Sequence, residues 1–378
     1  TYASALGYSL LVAGLSVGVV LGELREQFHL SGVIAALHGS TFGLGLLAAG
    51  LWGVRVVDHL GRRRSLAMSA AAITAGITLF CIGPAWPVTL TGTALAGLGG
   101  ALLVMVMPGL ISDHHGRHRA AAFAAVNGAP GLAGVGFSLV VGAALALQWS
   151  WRPPYLILTA VIMLALTAVA WPVPIPQSPR QGAFTLAHFR DRDVFVPWLH
   201  IVNAVLSEFA VGVWAATYLK EVGHASGGQA SAMAGVFGVS MFLSRLALPT
   251  VIRYLGDATI TISFVALAIG GLVMCFAPGL LPRVAGLTIV GFGGAPLYPL
   301  TVDRLYASAE HKIDSISLGA ICALASGAAV TLGPLALGIL ADSVGLRRAL
   351  LIVPVIAVVG AITQRPARAA RTVAPALD

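Results

Sequence analysis

A few ionisable side chains lie inside long apolar segments of this sequence. Glu208 lies near the middle of residues 201–219, most of which are apolar. A charged group in such surroundings is costly, so it is expected to face a water-filled path or a partner side chain. We predict that Glu208 binds a polar substrate or exchanges protons as its surroundings change. The alternative is a protonated carboxyl that only holds helices together by a hydrogen bond.

Arg245 lies in a second apolar segment, closer to one of its ends. Its guanidinium can bind an anionic group of a ligand, or it can latch a helix bundle by binding a carboxylate or a helix C-terminus. Latching is the role that we expect. Arg245 is accordingly assigned to gating rather than to substrate contact.

Uncharged polar and aromatic residues in the apolar segments complete the candidate site. Amide groups can donate to and accept from sugar hydroxyls, and aromatic faces can cover the apolar face of a sugar ring. Amides also serve as hydrogen-bonding contacts between membrane helices, which is the alternative for each of them. Together with Glu208, the predicted substrate contacts are Asn127, Asn203, His38, Trp214 and Tyr298.

The segments around these residues are long enough to cross a membrane. Hydrophobic residues make up 58% of the 378 positions and charged residues 10%, too few to cover a soluble protein of this size. Apolar stretches of about 20 residues recur along the chain, and no stretch alternates as barrel strands do. We predict an all-α membrane protein. Because the sequence begins at Thr1 in what already looks like the first helix, we expect residues to precede it.

Twelve spans in two sets of six are predicted. The first set covers residues 3–22, 32–54, 65–84, 88–111, 119–146 and 153–173, and the second covers 194–219, 229–252, 258–278, 283–302, 315–341 and 346–364. Residues 173–193 between them are polar, basic and proline-bearing. The predicted domains are a six-helix bundle over residues 1–172, a cytoplasmic linker over 173–193 and a second six-helix bundle with a basic tail over 194–378.

Lysines and arginines are unevenly shared between the loops on the two sides. The side with the linker and both chain termini carries about twice as many as the other, which identifies it as cytoplasmic. The formal net charge of +8 is thereby explained without nucleic acid as a partner. We expect a multi-pass protein of a cell membrane with both termini in the cytoplasm.

The two sets of spans also share short repeats. GLGGA at Gly97–Ala101 recurs as GFGGA at Gly291–Ala295, at an offset of 194 residues. A second correspondence links the end of the fifth span and Trp151-Arg152 with the segment Gly338–Arg348 at a similar offset. Two pseudo-symmetric bundles are implied, and such pairs commonly enclose a substrate site near the middle of the membrane.

The loop after the second span carries a motif. It reads DHLGRRR from Asp58 to Arg64 and resembles the G-x-x-x-D-R-x-G-R-R signature of the major facilitator superfamily. The upstream glycine is displaced by one residue, and His59 stands where arginine or lysine is usual. The resemblance implies the fold of that superfamily and a rocker-switch transporter, with Asp58, Arg62 and Arg63 in a gating latch. A solvated, positive-inside loop is the alternative.

Other stretches narrow the type of transporter. GFGGAPLYPL at Gly291–Leu300 and the segment Asp113–Pro130 are similar to the fucose/glucose-type branch, which transports sugars. Two motifs of drug/proton antiporters are missing, since Thr93 occupies an arginine position and Gly131–Gly142 lacks a proline. The predicted function is secondary active transport of a sugar or similar polar metabolite, with protons as the candidate coupling ion. Efflux of drug-like or lipid-like amphipathic molecules and a non-transporting sensor are the alternatives.

Enzyme and metal chemistry are not expected. The histidines of Asp113–Arg119 lie in a basic loop that would repel a metal cation, and no cluster of catalytic carboxylates or histidines is present. The sequence has no phosphate-binding loop for ATP. We expect a monomer without cofactors, whose partners are a small-molecule substrate, protons and the lipid bilayer.

Overall fold

The computed structural model describes residues 2–115, 119–170, 185–309, 311–313 and 315–363, and the regular elements within these ranges are helical. Twelve helical segments in this part of the chain are long and apolar enough to cross a membrane. Most of them begin and end within a few residues of the predicted spans. The prediction of a twelve-span, all-α fold is confirmed.

The helices divide into two successive groups of six spans. The first group contains α1 (Tyr2–Leu15), a 3-10 turn (Ser16–Val19), α2 (Leu21–Phe28), α3 (Gly32–Leu60), α4 (Arg62–Ile82), α5 (Trp86–His115), α6 (Arg119–Ala146) and α7 (Arg152–Ala170). The second contains α8 (Arg192–Glu221), α9 (Gly227–Leu255), α10 (Ala258–Phe276), α11 (Leu280–Gly294), α12 (Leu297–Ala309), α13 (Ser315–Val344), α14 (Leu346–Ala349) and α15 (Ile352–Thr363). We call these groups the first half and the second half. Helices α11 and α12 together form the tenth span.

Matching glycine contacts show that the two halves are built alike. Gly76 of α4 packs against the backbone of Gly92 in α5, and Gly270 of α10 packs in the same way against Gly286 of α11. Each residue number in the second pair exceeds its counterpart by 194. A Cβ on any of these glycines would lie within 2.6 Å of backbone atoms in the neighbouring helix. The repeat that GLGGA indicates therefore extends to helix packing.

The halves meet along two pairs of helices, in which α3 packs against α13 and α6 packs against α9. A Cβ on Gly43 of α3 would lie 2.4 Å from the backbone nitrogen of Thr331 in α13. A Cβ on Gly142 of α6 would lie 3.0 Å from the backbone nitrogen of Ala232 in α9. Small residues thus let helices of different halves approach to backbone contact. We call these contacts the seam.

The helix ends form two faces. The linker face is the one at which α7 ends and α8 begins, and the far face is the opposite one, at which residues 222–226 join α8 to α9. On the linker face, Gly61 joins α3 to α4 with φ of 77° and ψ of 158°, a conformation that favours glycine. This backbone turn explains the glycine in the DHLGRRR loop.

Most of the predicted linker, residues 171–184, lies outside the described residues. Beyond it, a short 3-10 helix (Leu186–Arg190) precedes α8, which begins two residues before the predicted span. The Nζ atom of Lys312 binds the carboxylates of Asp191 and Asp193 at 2.9 and 2.7 Å. The hydrogen bond from Lys312 also lowers the pKa of Asp191. The start of α8 is thereby tied to the segment after α12, and the division into domains stays a prediction.

Two local features differ from the predicted spans. Residues 23–28, predicted to begin an outer loop, belong to α2, which buries Leu21 and Leu24 and exposes its polar side. The second difference is an interruption of the tenth span at Ala295 and Pro296, between α11 and α12. Both features position charged or polar groups of the candidate site.

Candidate functional site

Glu208 and Arg245 form an ion pair in the second half. The Nη2 atom of Arg245 donates to both carboxylate oxygens of Glu208, at 3.2 and 3.3 Å, and neither side chain is more than 18% exposed. Helix side chains lean toward the helix N-terminus, which lies at the linker face for α8 and at the far face for α9. Glu208 therefore leans toward the linker face and Arg245 toward the far face. Because Arg245 lies nearer to the linker face than Glu208, the two side chains lean toward each other. This geometry agrees with the expectation that Arg245 binds a carboxylate.

Arg245 also binds the interruption of the tenth span. Pro299 has no N–H group to donate to the carbonyl of Ala295, four residues earlier. The Nε atom of Arg245 donates to that carbonyl at 3.3 Å. One guanidinium therefore joins α8, α9 and the tenth span, and it compensates for a hydrogen bond that the proline removes.

A second proline in the same interruption has a matching partner. Pro296 cannot donate to the carbonyl of Phe292, and the hydroxyl of Ser244 donates to it instead at 2.8 Å. Because Ser244 and Arg245 are adjacent, one turn of α9 satisfies both open carbonyls. Discontinuous spans beside polar groups are a recurring feature of substrate sites in transporters.

The Glu208–Arg245 pair adjoins the seam between the halves. Gly212 lies one turn from Glu208, and its carbonyl would be 2.7 Å from a Cβ on Gly18 of the first half. Phe242 lies about one turn from Arg245, and its Cβ would be 3.0 Å from a Cβ on Gly131 of α6, in the first half. Both charged residues lie one turn closer to the linker face than these contacts. The ion pair is therefore at mid-depth, where the two halves meet.

Tyr298 also lies where the halves meet. Ser326 of α13 and Tyr8 of α1, which belongs to the first half, are among the polar groups in the electrostatic surroundings of its hydroxyl. Hydroxyl groups of this kind can donate to and accept from a polar ligand. The sequence analysis identified Tyr298 and missed Tyr8, whose only signal was its position in the first span.

His38 and Trp214, two further predicted contact residues, are packed inside the bundle. His38 is fully buried, with Nε2 2.9 Å from the Thr89 hydroxyl and Nδ1 3.0 Å from the Ile34 carbonyl. Trp214 is fully buried and donates its indole N–H to the Pro334 carbonyl at 3.2 Å. These polar atoms already have protein partners, so the geometry speaks against substrate contact. Contact by either residue stays a prediction.

The two asparagines differ in what the structure describes. Asn203 donates from Nδ2 to the carbonyl of Ile356 at 3.0 Å, which joins α8 to α15, while its buried Oδ1 has no partner. This contact fits the alternative of an amide that holds helices together. Asn127 belongs to α6, and its side chain lies outside the described part of the chain.

The predicted latch residues lie together at the linker face. Asp58 is exposed near the end of α3, whereas Arg62 is 4% exposed at the start of α4 and Arg63 is exposed. Both arginines take part in polar or ring contacts. Their role in gating stays a prediction.

An ion-pair network closes the far face between the halves. Lys220 of α8 binds Glu23 and Glu26 of α2 at 2.6 and 3.0 Å. In the opposite sense, Arg25 of α2 binds Glu221 of α8 at 2.5 Å. Sequence reasoning missed this network because it treated the residues of α2 as a solvated loop.

Asp342 adds a second far-face contact between the halves. Its carboxylate accepts from the backbone N–H groups of Gly32 and Val33 at 2.8 and 3.1 Å. These groups belong to the first turn of α3, where unpaired N–H groups and the helix dipole favour an anion. A side chain from α13 thus caps α3 across the seam.

Replacing Lys220 by glutamine is expected to favour opening of the far face, because Glu23 and Glu26 lose their cation from the other half. A cysteine at Thr217, which is fully buried beside the seam and has an unpartnered hydroxyl, reports opening by alkylation. Loss of these ion pairs is expected to shift the equilibrium between the closed and the open far face by about 1 kcal/mol, which makes alkylation about fivefold faster. For this measurement, the three native cysteines are first replaced by alanine. Lys312→Gln on the linker face is the control, and equal acceleration by both variants would contradict the prediction.

No metal centre is indicated in the described ranges, where no group of three or more histidine, cysteine, aspartate or glutamate side chains is arranged to hold an ion. The side chains of residues 112–120, which include the histidine-rich loop, lie outside those ranges.

Many membrane transporters are built from two related helix bundles with polar groups near the middle of the membrane. The sequence model of the Major Facilitator Superfamily matches residues 2–312 of this chain. The chain belongs to the Major Facilitator Superfamily, and it is a solute transporter rather than an enzyme. The resemblance seen in the DHLGRRR loop is thereby confirmed.

Known relatives of the chain are also transporters. An uncharacterised transporter from Sinorhizobium fredii is 26% identical over 364 residues, which are 91% of this chain and 93% of that protein. The human facilitated glucose transporter member 6 of solute carrier family 2 is 29% identical over 202 residues. That match covers 52% of this chain and only 37% of the human protein's length.

Solved structures show the same fold at low sequence identity. The E. coli xylose transporter XylE, in a partially occluded inward open conformation, superposes with a TM-score of 0.75 at 16% identity and covers 95% of both chains. The nucleoside transporter NupG superposes with a TM-score of 0.73 at 13% identity, over 96% of this chain and 97% of that one.

Proposed function

We propose that this protein is a secondary active transporter that moves a sugar or similar small polar metabolite by alternating access, coupled to protons in symport. The observation that carries the proposal is the Glu208–Arg245 pair, held at mid-depth by the interruption of the tenth span. A carboxylate and a guanidinium beside the seam offer an acceptor and a donor to a polar solute.

Alternating access is supported by the charged contacts between the halves at the far face. At the far face, charged side chains of α2, α8 and α13 bind across the seam, and these bonds exist only while the halves are closed there. Rocking the halves apart at this face would break them and replace them by contacts with water. A ligand shifts such an equilibrium by binding one state more tightly than the other.

A polar substrate is favoured by the residues near the ion pair. Tyr298, Tyr8 and Ser326 supply hydroxyl groups from both halves. By contrast, three of the four apolar residues that would suit an amphipathic substrate, Phe42, Met105 and Met107, are buried in the first half, and the fourth, Phe209, is partly buried next to Glu208. Their packing reduces the support for efflux of drug-like or lipid-like molecules. The sugar and nucleoside names of the similar proteins point the same way.

Proton coupling is proposed through the same pair. If Glu208 takes up a proton in one state, Arg245 loses its carboxylate partner, and the guanidinium becomes free to bind substrate. Release of the proton then restores the pair and displaces the substrate. Competition between the Glu208 carboxylate and the substrate for Arg245 would couple the substrate flux to the proton flux without a second ion site.

The positive-inside rule places the linker face in the cytoplasm. On this basis we propose a cell-membrane protein with both termini cytoplasmic, and a monomer as the transporting unit. The two proposed symmetric bundles already enclose a pathway, so no second copy is needed to complete it.

The test begins with a thermal-shift screen of the purified protein against monosaccharides, polyols and nucleosides, because a ligand of the folded state raises its stability. Uptake of the hits into liposomes with an imposed pH gradient follows.

Glu208→Gln is expected to abolish accumulation against a gradient while it retains exchange of substrate. The control is Asp257→Asn, which neutralises an exposed carboxylate at the linker face. Unchanged uphill uptake by Glu208→Gln would remove the coupling role, and ligand binding without any flux in the wild type would favour a sensor.

A further inference from the structure

Two guanidinium groups converge at the far-face end of α10. Arg283 is 8% exposed, and its Nη1 donates to the Tyr218 hydroxyl at 2.5 Å and to the Met274 carbonyl at 3.4 Å. The Nε atom of Arg347 donates to the Cys275 carbonyl at 2.7 Å. Carbonyls in the last turn of a helix favour cations, so capping explains part of this arrangement.

The first half caps the equivalent helix with a single arginine. Arg152, at the start of α7, donates from Nη2 to the carbonyl of Gly83, just after α4, at 3.3 Å. The repeat offset of 194 residues places Thr89 at the position of Arg283, and Thr89 bonds to His38 instead of capping α4. One guanidinium therefore suffices for this helix end, and Arg283 in the second half is an additional charge.

The described residues provide no carboxylate for either cation. Ion pairs in this part of the chain include those of Arg25, Lys220, Arg245 and Lys312, and none there joins Arg283 or Arg347 to an acidic group. Two cations near the same helix end repel each other, and a largely buried one is costly without an anion. An anion between them would relieve both costs.

Each guanidinium keeps N–H groups for such an anion. The hydrogen bonds of Arg283 use only Nη1. Its Nε and Nη2 have no partner among the described residues and are not fully buried, so an anion can reach them. Arg347 is exposed and uses only Nε. Two such groups can form several charge-assisted hydrogen bonds to one phosphate.

The surroundings of this cluster match a lipid. Phe276 and Leu281 flank it and are 61% and 72% exposed, which places large apolar side chains where acyl chains would lie. Phosphates of headgroups lie at this depth, next to the ends of spans. We propose that Arg283 and Arg347 bind the headgroup phosphate of an anionic lipid in the far-face leaflet.

Native mass spectrometry of the purified full chain tests the proposal. Phosphatidylglycerol and phosphatidylcholine of equal chain length are added at equal concentration, and the bound lipid per protein is counted. We expect the wild type to retain phosphatidylglycerol preferentially, and Arg283→Gln and Arg347→Gln to reduce that preference about fivefold or more. Arg348→Gln removes the same charge from the next residue and is expected to leave the preference unchanged.

Arg283→Lys keeps the positive charge and covers the case in which Arg283→Gln does not fold. Arg283→Lys is expected to retain part of the preference for phosphatidylglycerol, because the lysine still attracts the phosphate by its charge. A parallel thermal-shift measurement with inorganic phosphate distinguishes a lipid from a free anion. Equal lipid preference in the wild type and Arg347→Gln would overturn the site. Stabilisation by inorganic phosphate without any lipid preference would overturn the lipid assignment.

Discussion

Replacing Arg245 by methionine is expected to lower transport at least a hundredfold and to destabilise the protein. The change leaves Glu208 as a largely buried carboxylate without a cation, and removing one partner of a buried ion pair costs about 3–5 kcal/mol. It also leaves the Ala295 carbonyl without its donor. Thermal unfolding measures the loss of stability, and uptake into liposomes measures the loss of transport.

Two further variants separate transport from packing. Arg245→Lys keeps a cation near Glu208 but lacks the fork that reaches both the carboxylate and the Ala295 carbonyl, so an intermediate effect is expected. The double variant Glu208→Gln with Arg245→Met removes both charges. It is expected to regain stability without regaining transport. A double variant that transports like the wild type would show that the pair serves only to hold the helices together.

Replacing Gly18 by alanine is expected to shift the protein toward a far-face-open state. A Cβ at this position would lie 2.7 Å from backbone atoms of Gly212 and Val213, across the seam. Backbone atoms cannot move aside as a flexible side chain does, so the closed packing must separate, at a cost of about 1–3 kcal/mol. Alkylation of a cysteine at Thr217, in the protein without native cysteines, should be about tenfold faster or more.

Gly22→Ala provides the matched control for this measurement. The nearest atom to a Cβ on Gly22 is 3.5 Å away, in the side chain of Lys220, which is an ordinary van der Waals distance. The same substitution one turn along the chain should therefore leave the labelling rate unchanged. If Gly18→Ala labels no faster than Gly22→Ala, close approach at Gly18 does not maintain the closed far face.

The residues that the sequence analysis selected differ in how well their surroundings were predicted. Glu208 and Arg245 were identified separately, because an ionisable group within an apolar segment is visible in one stretch of sequence. Their pairing was not predicted, since it depends on how α8 lies against α9. For His38 the predicted role was substrate contact, but its ring nitrogen instead bonds to the hydroxyl of Thr89 in a neighbouring helix. A polar residue in an apolar segment can thus have a partner inside the protein that the sequence does not show.

The interruption of the tenth span was present in the sequence as Pro296 and Pro299. Each proline removes one helical hydrogen bond, which is a local consequence of its chemistry. Which groups replace those bonds is not local, and Ser244 and Arg245 lie about fifty residues away. The far-face network has the same character, since Lys220 binds residues of α2 that are nearly two hundred positions earlier.

Twelve spans, their division into two related sets and the family motif were all readable before any coordinates. Crossing a lipid bilayer depends on the length and polarity of continuous segments, and these are properties of neighbouring residues. The partner of each charge, the closure of the far face and the position of the pair beside the seam emerged only when the helices packed. Those features join residues from different spans, and the distances between spans depend on how closely small residues such as glycine let the helices approach.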